Sequence, residues 1–267
     1  MESNIEVYMK FDGKNISIGK NVKLGKNVRI GDNTMIYDNV IIGDNTIICD
    51  NCSIGEPQNA YYFDNSYQNP TLKIGANSLI RSHAIIYAGS SLGDYLQMGH
   101  YSIIRENNIF GNHCMVGIYV NILDGCKIGN YDRFHSYVQI AEKSVIEDFV
   151  FFFPNVIITS DPTPPSNVIK NCFFGAYSQI LANVLVLPDT HIGKHCVVAA
   201  QTRVRGTYKD YSFIAGEPPR RMFDTRKVLI INEQTRKRQY PWPYNFSKNM
   251  PWNGIGYEEW LKNNHND

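Results

Sequence analysis

The chain has 267 residues, of which 43% are hydrophobic and 19% charged, and a formal net charge of +1 at pH 7. The near-neutral balance argues against broad nucleic-acid binding, which requires a basic face. No apolar run approaches the roughly 20 residues of a membrane-spanning helix. The first residues read MESNIEVYMKFDG and lack the apolar core of a signal peptide, so we expect a cytoplasmic protein.

A polar lead-in, residues 1–15, is followed by a repeat of six residues. An apolar residue occupies every sixth position from 18 to 54, from 74 to 158 and from 174 to 204. This period matches neither an α-helix, at about 3.6 residues, nor an alternating strand, at about 2. A fixed short period is typical of a solenoid, in which each repeat buries its apolar face only against its neighbours.

Within many repeats, glycine follows the apolar residue and asparagine stands two positions later, as in IGKN, LGKN and IGDN. Both residues tolerate the left-handed backbone of a tight turn, so each hexapeptide predicts a short strand and a corner. This pattern resembles the hexapeptide-repeat family, in which three hexapeptides form one triangular coil of about 18 residues. The resemblance implies an all-β protein, a left-handed parallel β-helix of about nine coils.

Two stretches interrupt the repeat. Residues 56–73 contain three tyrosines, a phenylalanine and two prolines, and residues 159–173 read TSDPTPPSNVIKNCF. Both predict loops, and insertions in a solenoid usually decorate one face, often the binding face. For the first loop, an equally good interpretation is that it seals a neighbouring subunit.

The predicted organisation has three parts. The lead-in precedes a β-helix domain, residues 16–222, which contains both loops. A C-terminal extension, residues 223–267, follows and is rich in aromatic residues and proline. We expect this extension to pack on the coils as loops with a short helix around 258–263.

Residues 18 apart lie on neighbouring coils of such a β-helix, about 4.8 Å from each other. One column carries acidic side chains and leads into the second loop: Glu106, Asp124, Glu142 and Ser160. Stacked carboxylates repel unless they are protonated, paired or hydrogen-bonded. The column is either a solvated ridge or a binding surface for a cationic or amine-bearing substrate. Its end at the second loop favours the binding surface.

Histidines and cysteines show no metal-binding pattern. The column of His100 otherwise holds serine and isoleucine, and we interpret three further histidines as structural: His113, His191 and His195. Several cysteines stand four residues after a repeat apolar residue, where small buried side chains are expected: Cys52, Cys114, Cys126 and Cys196. These positions predict reduced thiols in the core rather than disulfides or metal ligands.

Several motifs resemble one branch of the hexapeptide acyltransferases, the coenzyme A-dependent N-acyltransferases of nucleotide-linked amino-deoxy sugars such as dTDP-3-amino-3,6-dideoxyhexoses. The resemblance covers residues 16–222 and is carried by segments 80–82, 86–90, 99–100, 104–107, 146–148, 154–156, 160–162 and 215–220. Members of this branch are trimers with active sites in the clefts between subunits. The resemblance implies a homotrimer that binds acetyl-CoA, or another acyl-CoA, and a nucleotide-linked amino sugar.

The same resemblance assigns roles to residues. His100 takes the place of the general base. Glu142, Ser160 and Asp161 take the positions that hold the amino sugar, although several relatives carry Asn or Asp where this chain has Ser160. The remaining substrate-binding candidates are Ser90 and Glu106 in matched motifs, Arg81 and Arg105 as pyrophosphate contacts, and Tyr61 and Tyr62, which can stack on a base.

The candidates for coenzyme A lie toward the end of the solenoid. Ala182 and Ala200 are one coil apart, and their small side chains would let the pantetheine chain approach backbone amides. Arg205 and Arg220 stand where the phosphates of the coenzyme would lie. The other interpretation is that these cations only solubilise the end of the β-helix.

These features predict an acyl-CoA-dependent N-acyltransferase for surface-polysaccharide synthesis, with no metal, no nucleic acid and no membrane insertion. A sugar O-acetyltransferase and an acyl-carrier-protein-dependent acyltransferase share the fold and are alternatives. The latter usually ends in a helical domain, for which this tail is too rich in proline and aromatic residues. A non-enzymatic scaffold or ice-binding β-helix is disfavoured because threonine is scattered along the chain.

Overall fold

The computed structural model describes residues 13–264, so most of the predicted lead-in lies outside the described residues. Within residues 13–264, thirty short strands wind into a parallel β-helix with three walls, and one more strand adds antiparallel at its end. Within each coil, one strand belongs to each wall. This architecture is consistent with the predicted left-handed β-helix.

The first half of the solenoid ends with β15, and its strands are β1 (Ser17–Ile18), β2 (Lys23–Leu24), β3 (Arg29–Ile30), β4 (Met35–Ile36), β5 (Val40–Ile42), β6 (Ile47–Ile48), β7 (Ser53–Glu56), β8 (Leu72–Ile74), β9 (Leu79–Ile80), β10 (Ile85–Tyr87), β11 (Ser91–Leu92), β12 (Gln97–Met98), β13 (Ile103–Ile104), β14 (Ile109–Phe110) and β15 (Met115–Val116).

The second half continues with β16 (Asn121–Ile122), β17 (Lys127–Ile128), β18 (Arg133–Phe134), β19 (Gln139–Ile140), β20 (Val145–Ile146), β21 (Phe151–Phe152), β22 (Ile157–Ile158), β23 (Phe173–Phe174), β24 (Gln179–Ile180), β25 (Leu185–Val186), β26 (His191–Ile192), β27 (Val197–Val198), β28 (Arg203–Val204), β29 (Thr207–Tyr208), β30 (Ser212–Ala215) and β31 (Arg220–Asp224).

Every third strand pairs in parallel within one wall. The first sheet runs from β1 to β28, the second from β2 to β29 and the third from β3 to β30, with β31 added antiparallel at its end. Three edges join these walls. The chain turns from the first sheet into the second at the first edge and from the second sheet into the third at the second edge. It returns from the third sheet to the first at the third edge.

The structure has ten coils rather than the predicted nine, because the solenoid continues for two strands beyond Val204. In most coils the partners are 18 residues apart, as in the pair Ile104 and Ile122. Near the end, Ile192 pairs with Tyr208 instead. This coil is two residues shorter at the first edge, so the period of six fails there although the winding continues.

The repeat apolar residues point into the β-helix and form one continuous core. Ile104, Ile122 and Ile140 have no exposed surface. The predicted core position of Cys52, Cys114, Cys126 and Cys196 is confirmed, because all four are buried, and Cys172 is buried as well. Burial raises the pKa of the Cys126 thiol to about 12, so this group stays protonated.

The corners place one residue per turn in the left-handed region of the backbone. In the first coils this residue is asparagine, whose amides stack as ladders, for example Asn27 on Asn45 at 3.1 Å. In later coils histidine and tyrosine take the position, with φ of 61° at His113 and 57° at Tyr101. Bulky residues rarely adopt this conformation. Here their rings stack from coil to coil, which offsets the backbone cost.

The C-terminal extension packs on the second edge. It contains short 3-10 turns and the helix α1 (Tyr257–Asn264), at the position where the sequence predicts a short helix. Trp242 donates from Nε1 to the carbonyl of Tyr177 at 2.8 Å. Trp252 and Tyr257 pack with Phe149 in a second apolar cluster outside the coils. No helix within residues 13–264 is long and apolar enough to cross a membrane.

Candidate functional site

Both loops leave the solenoid at the first edge. The first loop lies between β7 and β8, and the second lies between β22 and β23. Five coil steps separate them, which is about 24 Å at the spacing of neighbouring strands. The segment of the first edge between the two loops is therefore flanked by protruding chain at both ends.

The predicted acidic column occupies this segment. Glu106, Asp124 and Glu142 follow β13, β16 and β19, which are neighbours in the first sheet. Ser160 lies on the next coil, and its hydroxyl donates to the carboxylate of Glu142. The structure thus brings Glu142 and Ser160 together as the spacing of 18 predicts. Glu142 has only this neutral side-chain partner among the described residues.

Glu106 differs from Glu142 because a cation neutralises it. Arg105 donates to both carboxylate oxygens of Glu106, at 2.7 and 2.9 Å. Partial burial opposes ionisation of Glu106, but the hydrogen bonds and the charge of Arg105 outweigh it, and the pKa is lowered. The Arg105 guanidinium also lies over the ring of Tyr87, 5.0 Å from its centroid. A phosphate contact by Arg105 would have to compete with Glu106.

Asp161 orders the second loop. Its carboxylate accepts from the backbone N–H groups of Thr163 and Ser166, at 2.9 and 2.7 Å, and from the hydroxyl of Ser166 at 2.6 Å. The hydroxyl and these amides lower the pKa of Asp161. Both oxygens are thus engaged within the loop, so the geometry favours a loop-stabilising role over the predicted contact with the sugar.

Ser90 corrects the sequence prediction, because it lies in the core. Only 1% of the residue is exposed. Its hydroxyl donates to the carbonyl of Arg105 and accepts from the N–H of Asn108, both at 3.0 Å. With one donor and one acceptor satisfied inside the wall, Ser90 holds neighbouring coils together and does not face a substrate.

The first loop carries an aromatic cluster. Tyr61 and Tyr62 belong to a 3-10 turn and are exposed, and the ring of Tyr61 contacts Tyr37 edge-on at 6.3 Å. Burial and the neighbouring Glu56 raise the pKa of Tyr37 to about 12. Beside these rings lies a cavity of about 640 Å³, lined also by polar residues of the loop such as Asn69.

Glu56, at the base of the first loop, is a residue that the sequence prediction missed. Its carboxylate accepts from the hydroxyl of Tyr62 at 3.3 Å and from the hydroxyl of Ser53. Like Glu142, it has only neutral side-chain partners among the described residues. The sequence could have indicated Glu56, because it is the first residue at which the six-residue repeat breaks.

His100 lies on the third edge, in the corner after β12. His100 is half-buried, and its backbone carbonyl accepts a hydrogen bond from the N–H of Tyr119 at 3.1 Å. Within the part of the chain that the structure describes, its imidazole has no hydrogen-bond partner. Ala182 and Ala200 stand in the same column, two positions after the inward residues of β24 and β27. Four coil steps, about 19 Å, separate His100 from Ala182.

An exposed ring stack borders His100 and was also missed from the sequence. His83, Tyr101, Tyr119 and Tyr137 stack face to face, with centroids 4.6, 5.1 and 5.3 Å apart. The three tyrosines expose about half of their surface. Counting by 18 from Tyr101 would have found this stack.

The structure separates some candidates that the sequence grouped. Arg81 follows β9 on the third edge, whereas Arg105 lies on the first edge. His100 and Glu142 likewise lie on different edges, with the first sheet between them. Within one chain, the candidate base and the candidate amine-binding carboxylate are therefore not neighbours.

The basic candidates near the end of the solenoid are both exposed. Arg205 follows β28 on the first edge, and Arg220 begins β31. Nearby Arg203 is paired with Glu217 at 2.8 Å. Among residues 13–264, histidine, cysteine and carboxylate side chains form no group of three that could hold a metal ion.

Comparison with known proteins agrees with this architecture. Residues 27–56 match the family model described as bacterial transferase hexapeptide (six repeats). No curated protein matches the sequence at a significant level. The structure is similar to the UDP-N-acetylglucosamine acyltransferase of Arabidopsis, with a TM-score of 0.64, 14% identity, and coverage of 93% of this chain and 87% of that one.

Two further structures show lower similarity. An N-acyltransferase from Bacillus cereus, in complex with dTDP and coenzyme A, gives a TM-score of 0.31 at 17% identity, covering 77% of this chain and 85% of its own. A hexapeptide-repeat acetyltransferase from Vibrio cholerae, in complex with acetyl coenzyme A, gives a TM-score of 0.34 at 20% identity. The match covers 48% of this chain and 69% of that one. The chain is thus a β-helix whose residues 27–56 match the bacterial transferase hexapeptide model and whose fold is similar to that of the Arabidopsis acyltransferase.

Proposed function

We propose that the protein is an acyl-CoA-dependent N-acyltransferase that acts on the amino group of a nucleotide-linked amino-deoxy sugar. The observation that carries this proposal is the third-edge column, in which His100 shares one line with Ala182 and Ala200. The proposal rests on these residues, because a shared fold does not establish a shared reaction.

The third edge would hold the acyl donor. Ala182 and Ala200 leave the backbone accessible, so the amides of an extended pantetheine chain can pair with it. Arg220, near the end of the solenoid, would contact the phosphates. The thioester would then lie toward His100, about 19 Å along the column from Ala182.

The first edge would hold the acceptor. Its aromatic cluster at the first loop offers Tyr61 and Tyr62 to a base. Four coil steps farther along, about 19 Å, Glu142 and Ser160 would hold the amino sugar. A carboxylate with only a hydroxyl partner has capacity left for an ammonium group or a sugar hydroxyl. The span suits an extended nucleotide-linked sugar.

The reaction needs one proton acceptor and one donor to a developing negative charge. His100 takes a proton from the ammonium group, and the neutral amine attacks the thioester carbonyl. A C–N bond forms, the nitrogen loses its second proton as the C–S bond breaks, and this proton converts the leaving thiolate to the thiol. A hydrogen-bond donor must stabilise the oxyanion of the tetrahedral intermediate. Correct placement of the two substrates supplies much of the rate.

We further propose that the active enzyme is a homotrimer with its sites between subunits. His100 and Glu142 lie on different edges of one chain, with the first sheet between them. A second copy can present its first edge to the third edge of its neighbour, which would bring the two groups to one cleft. Such a cleft would combine groups that lie on separate edges of the described chain.

A thiol-release assay with acetyl-CoA tests the proposal. The acceptors are nucleotide-linked 3-amino and 4-amino sugars, each paired with its hydroxyl counterpart. We expect thiol release with at least one amino sugar and none above background with its hydroxyl counterpart. Thiol release with the hydroxyl sugars alone would reassign the protein as an O-acyltransferase. Release with neither set would remove nucleotide-linked sugars as acceptors.

A further inference from the structure

A small hairpin follows β31, the strand that ends the third sheet. We call residues 227–238 the basic apolar hairpin. Before it, the hydroxyl of Thr225 donates to the carbonyl of His195 at 3.1 Å. After it, Trp242 is anchored on Tyr177. Between these anchors the two arms pair through Ile231 and Arg238 and close in a turn, where Asn232 donates to the carbonyl of Lys237 at 2.8 Å.

Three consecutive large apolar residues on this hairpin are exposed. Leu229 exposes 75% of its surface, Ile230 exposes 49% and Ile231 exposes 51%. Single exposed apolar residues are common on protein surfaces, but adjacent ones mark interaction sites. This arm of the hairpin therefore presents a continuous run of apolar surface to solvent.

The hairpin is also basic, in a chain that is nearly neutral. It carries one acidic residue, Glu233, and four exposed basic ones: Lys227, Arg236, Lys237 and Arg238. Within the described residues, none of these four cations makes an ion pair with a carboxylate. Arg238 donates only to the carbonyl of Arg226, at 3.2 Å. The positive charge of the hairpin is thus available to an anionic partner.

We propose that the basic apolar hairpin attaches the protein to the surface of a membrane that contains anionic phospholipid. The apolar residues would enter the interface while the basic residues contact the headgroups. An anionic membrane surface offers an apolar layer directly beneath negative charge, which matches the exposed apolar run at residues 229–231 beside the basic side chains of the hairpin. This inference is independent of the acyl acceptor and donor.

Vesicle co-sedimentation of the full-length protein tests this proposal. The vesicles are phosphatidylcholine alone and phosphatidylcholine mixed with phosphatidylglycerol. We expect binding to the mixed vesicles that weakens as salt is added, and little binding to phosphatidylcholine alone. Lys237→Gln should lower the partition coefficient on mixed vesicles about fivefold, since one basic side chain near an anionic surface contributes roughly that factor. Leu229→Ser should lower it at least as much.

Two matched substitutions on other surfaces serve as controls. Lys26→Gln removes an exposed lysine from the first coil, and Ile109→Ser removes an exposed apolar residue from the second sheet. Both should bind the mixed vesicles as the unaltered protein does. Absence of binding to mixed vesicles, or equal binding by Leu229→Ser, would overturn the proposal. A smaller mass of Leu229→Ser in light scattering would also overturn it, because the hairpin would then contact a second copy.

Discussion

The two ring stacks of this β-helix are both built from corner residues with a left-handed backbone, but their surroundings differ. On the second edge, seven rings from Tyr95 to Tyr211 stack at centroid distances between 4.4 and 5.2 Å. The C-terminal extension covers the middle of this stack. On the third edge, no part of residues 13–264 covers the four rings from His83 to Tyr137, which border His100. The cover makes the second edge structural, whereas the third edge is open to ligands.

His100, on the open edge, and His191, on a strand of the second sheet, should therefore behave differently. His100→Asn should lower turnover by about 10²–10⁴-fold, the usual contribution of a general base. The free energy of unfolding should change by less than about 0.5 kcal/mol, because the side chain is partly exposed and makes no hydrogen bond in the described structure. Initial rates at saturating acyl-CoA and urea titrations measure both quantities. Near-normal turnover of His100→Asn would show that His100 is not the general base. His191→Asn, which should keep normal turnover, is the control.

The two stacks differ next in stability. Phe149→Asn and Tyr119→Asn replace rings at equivalent corners, with φ of 63° and 56°, by a residue that tolerates this backbone. Phe149 is 4% exposed and contacts Trp252 and Trp260, so its loss should cost about 3–5 kcal/mol. Tyr119→Asn should cost about 1–2 kcal/mol, because two exposed ring pairs are lost, with Tyr101 and with Tyr137. Equal costs from urea titration would show that the extension does not stabilise the second edge.

The covered stack should also make stability depend on pH. Burial lowers the pKa of His195 to about 4; nearby Lys194 and Arg226 act in the same direction, and Asp210 opposes them. Because the unfolded histidine titrates near 6.5, the unfolded state binds more protons between these values. Stability is therefore full above about pH 6.5 and falls by about 3 kcal/mol as the pH drops to 4. His195→Phe should remove this part of the slope, and identical slopes would contradict the assignment.

The fold was predictable because its determinants are local and repeated. One inward residue in six and a turn residue at each corner specify strand, corner and core without long-range information. The tenth coil was missed because two residues are absent from the turn after Val204, although the inward positions Tyr208 and Ile214 continue. The burial of Ser90 was within reach, since it stands four residues after Ile86, in the slot that the buried cysteines occupy.

The candidate site was only partly predictable. A spacing of 18 correctly placed Glu142 beside Ser160, because parallel register is fixed by the core. Along the sequence, Glu142 follows His100 by two full coils and one further hexapeptide. Counting by six would therefore have placed the two residues on different edges. The pairing of Arg105 with Glu106 and the role of Asp161 depend on side-chain and loop conformations. The repeat does not specify those conformations.

The last difference concerns carboxylates on an open and a covered edge. Glu142, on the first edge, should hold the acceptor amine, so Glu142→Gln should raise the KM for the amino sugar about 10–100-fold, the range of a hydrogen bond to a charged group. Glu147, on the covered edge, accepts from the N–H of Ala176 at 2.9 Å and lies 3.8 Å from Lys194. Glu147→Gln should leave this KM unchanged. Steady-state kinetics with the amino sugar varied distinguishes the two variants. An unchanged KM in Glu142→Gln would make the acidic column a solvated ridge, and the first edge would then lose its role in acceptor binding.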